Sequence, residues 1–154
     1  MQNYPLIFKA SFLFFAATLC LAGRGYAAEF KWVYYGSASD GSLSGYYSPE
    51  TANCQSGGTM DIWTKEVSNR KNVTDMAKTF GPKFKNLGYT LNHKRLDCAN
   101  KRLANLGMLY YSKKDVLIGK AVIDKPRWKP VKSGSMGDGL MDGVCGLCRK
   151  NPPR

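Results

Sequence analysis

Four cysteines constrain this chain more than any other feature. Cys54, Cys98, Cys145 and Cys148 all lie downstream of a segment with the form of a secretory leader. Residues 1–9 carry one cation, Lys9, and residues 10–22 form an apolar run of 13 residues. That length suits a signal-peptide core, whereas a membrane-spanning helix needs roughly 20. Gly25 and Ala27 fit the small-residue positions of a cleavage site, which places cleavage after Ala27 and assigns 1–27 to the leader. The fifth cysteine, Cys20, belongs to the leader, and Leu19 before it is too large for lipoprotein maturation. The mature 127 residues suffice for one domain with a modest core, 28–148, and a flexible tail, 149–154. Four cysteines in a small exported domain imply two disulfides with three possible pairings.

Cys145-Gly146-Leu147-Cys148 also has the C-x-x-C form. A thioredoxin-like pair would open a helix within a βαβ pattern, and none surrounds it. Covalent haem needs His after the second cysteine, where Arg149 stands. A four-cysteine zinc site would want a second close pair, but Cys54 and Cys98 are 44 residues apart. Structural disulfides fit these spacings best. No cofactor or metal is called for.

Within the mature chain, short aromatic-rich runs alternate with period two. Residues 30–35 and 43–48 read as a hairpin around Asp40-Gly41, with Phe30, Trp32 and Tyr34 facing one way and Lys31, Val33 and Tyr35 the other. Strands follow at 59–67, with Ile62 and Trp63 on opposite faces, and at 89–98, 102–111 and 116–123, the last two joined by a turn at Lys113-Lys114-Asp115. Between them, Thr74 is expected to cap a short helix bearing Met76, Ala77 and Phe80, stopped by Gly81-Pro82. The pattern predicts an α+β domain, an antiparallel meander of about six strands.

After Trp128, Ser135-Met136-Gly137-Asp138 has the S-x-x-D form of a helix start. Met136, Leu140 and Val144, with Met141, Cys145 and Cys148, fall near one helical face. Gly137, Gly139, Gly143 and Gly146 weaken such a helix by up to about 1 kcal/mol each relative to Ala. It therefore needs outside help, which a disulfide from Cys145 to the sheet would supply.

Trp32, Tyr46-Tyr47, Ile62-Trp63-Thr64-Lys65, Leu96-Asp97-Cys98, Tyr110-Tyr111, Trp128-Lys129-Pro130-Val131 and Gly143-Val144-Cys145 follow one another in a particular order. In these landmarks the chain resembles the surface-adhesin protein E domain of secreted and surface proteins from Gram-negative bacteria. The resemblance implies an antiparallel sheet with a C-terminal helix tied to it by Cys98–Cys145. Cys54 and Cys148 are extra and open to forming a second bridge across the same seam. Residues 69–85 form a longer connection than the family's usual one.

Chemistry for catalysis is hard to assemble. His93 is the sole histidine, sharing strand parity with Asp97, and a surface histidine is the simpler reading. Paired carboxylates, a G-x-S-x-G elbow and a phosphate loop are missing from the sequence.

Charge is more informative. The mature chain has 21 Lys plus Arg against 11 acids, a net of +10, which favours acidic partners. Arg70, Lys71, Lys78, Lys83, Lys85, Lys94, Arg95, Lys101 and Arg102 give nine cations against Asp75 and Asp97 within 34 residues. These nine are the candidate anion-binding residues.

The expected function is an exported, non-enzymatic, adhesin-like binding protein, periplasmic or on the cell surface. Its expected partners are host matrix proteins, anionic glycans or envelope components, with no specific nucleic acid and no transmembrane segment in the mature chain; a homodimer is compatible with the sequence. Two alternatives are an envelope-complex subunit presenting Tyr46, Tyr47 and Trp63, and a thiol oxidoreductase using Cys145 and Cys148.

Overall fold

The structure, a computed structural model, describes residues 30–150. The leader, its cleavage site and residues 151–154 lie outside the described residues.

Among the described residues, eight strands form one antiparallel sheet: β1 Val33–Ser37, β2 Leu43–Tyr47, β3 Asn53–Cys54, β4 Thr59–Ser68, β5 Leu87–Asp97, β6 Arg102–Ser112, β7 Leu117–Val122 and β8 Lys129–Pro130. The sheet runs β1-β2-β4-β5-β6-β7, with β3 added beside β4 and β8 beside β6. Among the described residues, three α-helices accompany the sheet: α1 Arg70–Phe80, α2 Met136–Val144 and α3 Leu147–Lys150. The expected α+β meander with a disulfide-tethered C-terminal helix is present. β3 and β8 are additions, strands of two residues each, too short to show an alternation in the sequence; β3 pairs with the neighbouring start of β4 and β8 with the more distant β6.

Alternation sets the two faces. Met60 and Ile62 of β4 are buried on one side and Trp63 is half-buried on the other. Val33 and Tyr35 turn inward while Tyr34 is exposed, as the alternation predicts. The core lies between the inner face and α2: Tyr47, Met60, Ile62 and Leu96 from the sheet meet Leu140, Met141 and Val144 from the helix.

Ser135 starts α2 as the S-x-x-D pattern requires. Its Oγ accepts from the Asp138 amide at 3.3 Å, and Asp138 Oδ2 accepts from the Gly134 amide at 2.9 Å. The glycines of α2 have a structural role beyond their low propensity. A Cβ at position 139 would overlap the Tyr35 carbonyl, and one at 143 would stand 2.8 Å from the Tyr47 ring. Only a bare backbone allows the helix this close to the sheet. Tyr47 Oη then donates to the Gly143 carbonyl at 3.2 Å.

Cys98 is bonded to Cys145 and Cys54 to Cys148, with Cα–Cα separations of 5.8 and 5.6 Å. The two halves of the C-x-x-C are thus tied to different segments of the sheet and do not form a dithiol pair with each other. Asp97 prepares the turn that presents Cys98. Its buried carboxylate accepts from the Asn100 amide at 3.1 Å, from Asn100 Nδ2 at 2.8 Å and from Arg102 Nε at 2.8 Å. These contacts, led by the Asn100 side chain, hold its carboxyl below the usual range. Arg149 and Lys150 continue α3, so the region expected as a tail begins as helix.

Helix α1 begins earlier than expected. Asn69 and not Thr74 is the cap, its side chain accepting from the Asn72 amide at 3.1 Å. Thr74 lies within the helix and donates to the Arg70 carbonyl at 2.9 Å. The first turn, Arg70-Lys71-Asn72, is polar and carries no apolar period, so the sequence gives no signal of the earlier start. Gly81 ends the helix at the expected place.

Candidate functional site

Helix α1 forms one wall of an open groove of about 590 Å³. Arg70, Val73, Thr74, Ala77 and Lys78 line it. Their spacing of three and four places them on one helical face. Ser68 at the end of β4, the cap Asn69, Lys85 and Lys113 complete the lining.

The last two cations are placed by packing from a distance. Lys85 rides on the 3-10 turn Pro82–Asn86, pinned by buried Phe84, whose ring meets the Tyr110 ring edge-on at 5.3 Å. Lys113 opens the turn between β6 and β7, and its amide donates to the Asn86 carbonyl at 3.0 Å. Gly88 permits that approach, since a Cβ there would lie 2.9 Å from the Lys113 Cα.

The lining holds four cations, apolar Val73 and Ala77, and no acid. Such a cleft concentrates positive potential and draws anions toward it. Its shape and charge suit an anionic group with some apolar surface beside it.

The nine cations of the candidate patch do not form one surface. Arg70, Lys78 and Lys85 converge on the groove. Lys71 is paired with Asp40, whose carboxyl is held well below the usual carboxylate range first by the Lys71 ammonium and then by Ser42. Lys94 is buried on the inner face, its Nζ 2.7 Å from Glu66 Oε1. Arg95 grips Asp61 through Nε at 2.6 Å and through its second nitrogen at 2.8 Å. Arg102 pairs with Asp97. Lys83 places its ammonium 5.4 Å from the Phe84 ring centroid. Lys101 tops the β5–β6 turn at the other end of the sheet.

Strand alternation, which a run of cations along the sequence does not display, sends Lys94 inward and Arg95 outward. Lys113 lies outside the 69–102 run yet joins the groove. The signal for Lys113 was available: antiparallel pairing of 89–98 with 102–111 returns the end of β6 to the start of β5, as Leu87 opposite Ser112 shows.

His93 stacks on Trp63, ring centroids 4.8 Å apart, and Asp97 is engaged by Asn100 and Arg102, so the two form no catalytic pair. Tyr47 is buried beneath α2 and unavailable to a protein interface with Tyr46 and Trp63. Among the described residues, no three His, Cys, Asp or Glu side chains converge as metal ligands. Nor, among them, is any helix long and apolar enough to cross a membrane.

A family model, Surface-adhesin protein E, matches residues 32–146. The chain belongs to this family. As a surface-adhesin protein E domain, it carries its landmarks at structural points: Leu96 in the core, Asp97 in the turn, and Cys98 and Cys145 in the bridge. Two similar solved structures are crystal form II and the selenomethionine form of Haemophilus influenzae protein E. The first is 14% identical with a TM-score of 0.48, covering 76% of this chain and 87% of the other. The second is 15% identical with a TM-score of 0.47, covering 73% and 85%. No curated protein matches the chain by sequence.

Proposed function

We propose that this member of the surface-adhesin protein E family is an exported, non-catalytic binding domain that works in the periplasm or at the cell surface. The α1 groove takes acidic groups of host matrix, glycan or envelope polymers. One observation carries the reading: Arg70, Lys78, Lys85 and Lys113 line a single groove without an acid among its walls. Anionic groups entering it lose little solvation and meet several cations at once. The oxidoreductase alternative has no dithiol to use, since Cys145 and Cys148 are engaged in separate bridges.

The test replaces Arg70, Lys78, Lys85 and Lys113 by Gln in the mature protein and measures retention on a heparin-like polymer across a salt series. A contact between unit charges in water is worth about 1 kcal/mol at 4 Å, so the variant should bind at least about tenfold more weakly at low salt. Its melting temperature should move little, because all four residues are exposed. Unchanged retention would remove the groove from the account.

A further inference from the structure

At the far end of the sheet, residues 124–132 run Asp-Lys-Pro-Arg-Trp-Lys-Pro-Val-Lys between β7 and α2. Lys125, Arg127, Lys129 and Lys132 are exposed, and Asp124 is the single acid of the segment. Among the described residues, none of these four cations forms an ion pair, and neither does exposed Lys101 in the adjoining turn. Gathering unpaired like charges raises their mutual repulsion, which an anionic partner relieves.

The segment is nevertheless fixed in place. Lys129 and Pro130 form β8 against Arg102 and Leu103, and the Val131 amide donates to the Lys101 carbonyl at 2.8 Å. Pro126 and Pro130 restrict the backbone to extended conformations. Val131 enters the core margin, yet Trp128, three residues earlier, stays 38% exposed. The Arg102 guanidinium lies 4.7 Å from its ring centroid and steadies it.

We propose that this strap is a second binding site, for an acidic polysaccharide. A sugar ring packs its C–H face on Trp128 while carboxylates or sulfates along the polymer meet Lys125, Arg127 and Lys129. Charge alone would attract any polyanion; the exposed ring adds a requirement for a flat apolar face next to the acid. The strap is independent of the α1 groove. It flanks the opposite end of β5, whose 11 residues span about 35 Å.

The experiment measures binding of the mature protein to heparin, to inorganic polyphosphate and to oligothymidylate. Trp128→Ala should weaken heparin binding roughly fivefold and leave polyphosphate, which has no ring to stack, within twofold. Trp128→Tyr should restore heparin binding to within twofold of the parent. Replacing Lys125, Arg127 and Lys129 by Gln should weaken heparin and polyphosphate alike, also in the background of the groove variant. In the background of the groove variant, retained polyphosphate binding by Trp128→Ala shows that the strap still folds. Equal losses of heparin and polyphosphate on Trp128→Ala, or no loss of either, would overturn the site. A Trp128-dependent loss for oligothymidylate as large as that for heparin would overturn the polysaccharide assignment and give the strap to single-stranded nucleic acid.

Discussion

The two ends of the sheet are built on opposite terms. Where β4 begins and β5 ends, α2 lies against the strands on bare glycine backbone, and two disulfides tie the C-terminal helices down. Leu140 and Val144 are fully buried there. Where β4 ends and β5 begins, α1 lies beside the sheet with none of its own side chains buried, and among the described residues no disulfide reaches it. Stability and ligand-facing surface are thereby kept apart: the clamped end supplies the fold's rigidity, and the loosely packed end leaves a groove open. Elements with few buried contacts open locally at lower cost than the core. The polysaccharide strap differs from the groove in this respect, for it is mounted on the rigid end.

The clamp offers the hardest test. Cys98→Ser with Cys145→Ser removes a bridge between residues 47 apart and should lower unfolding stability by about 4 kcal/mol in a urea titration. Groove binding to a heparin-like polymer should persist under conditions where the variant remains folded. A midpoint unchanged by this double substitution would mean that the clamped end does not hold the stability assigned to it.

A smaller effect separates glycines that look alike in sequence. Gly139→Ala and Gly143→Ala each drive a methyl group into the sheet and should cost about 1–3 kcal/mol. Gly146→Ala meets no atom within 4 Å and should change stability by less than about 0.5 kcal/mol. Thermal melts of the three variants check the contrast. Equal costs at all three positions would reduce the glycines to a propensity effect and remove the close approach from the comparison.

Much of the clamped end was legible in the sequence. Ser135 and Asp138 announced the start of α2, the Leu140 and Val144 row identified its buried face, and the family landmarks supplied the Cys98–Cys145 pairing. The glycines could be seen but not interpreted, because their meaning depends on Tyr35 and Tyr47, about a hundred residues earlier in the chain. The groove was less legible. Its three cations from the 69–102 segment were named among nine, yet charge along a chain does not reveal which side chains strand parity turns inward or which acids, such as Asp40 and Asp61, lie across from them. Lys113 reaches the groove only through the β5–β6 register and the small size of Gly88. Strand periodicity is a local property, whereas the neutralisation of a cation is a tertiary one.

The finest test asks whether the two ends open separately. Asn69→Ala removes the side-chain acceptor that satisfies the Asn72 amide and should cost about 1 kcal/mol. Amide exchange in α1 should then accelerate about fivefold. Gly143→Ala weakens the clamped end, so it should speed exchange in the middle of β4 and β5, whose amides are released by global unfolding. It should leave α1 amides unchanged if they exchange through a local opening that never disturbs the clamp. If Gly143→Ala instead accelerates α1 by the same factor as β4 and β5, the ends unfold as one cooperative unit. The open groove would then owe its accessibility to its shape and not to a weaker hold on α1.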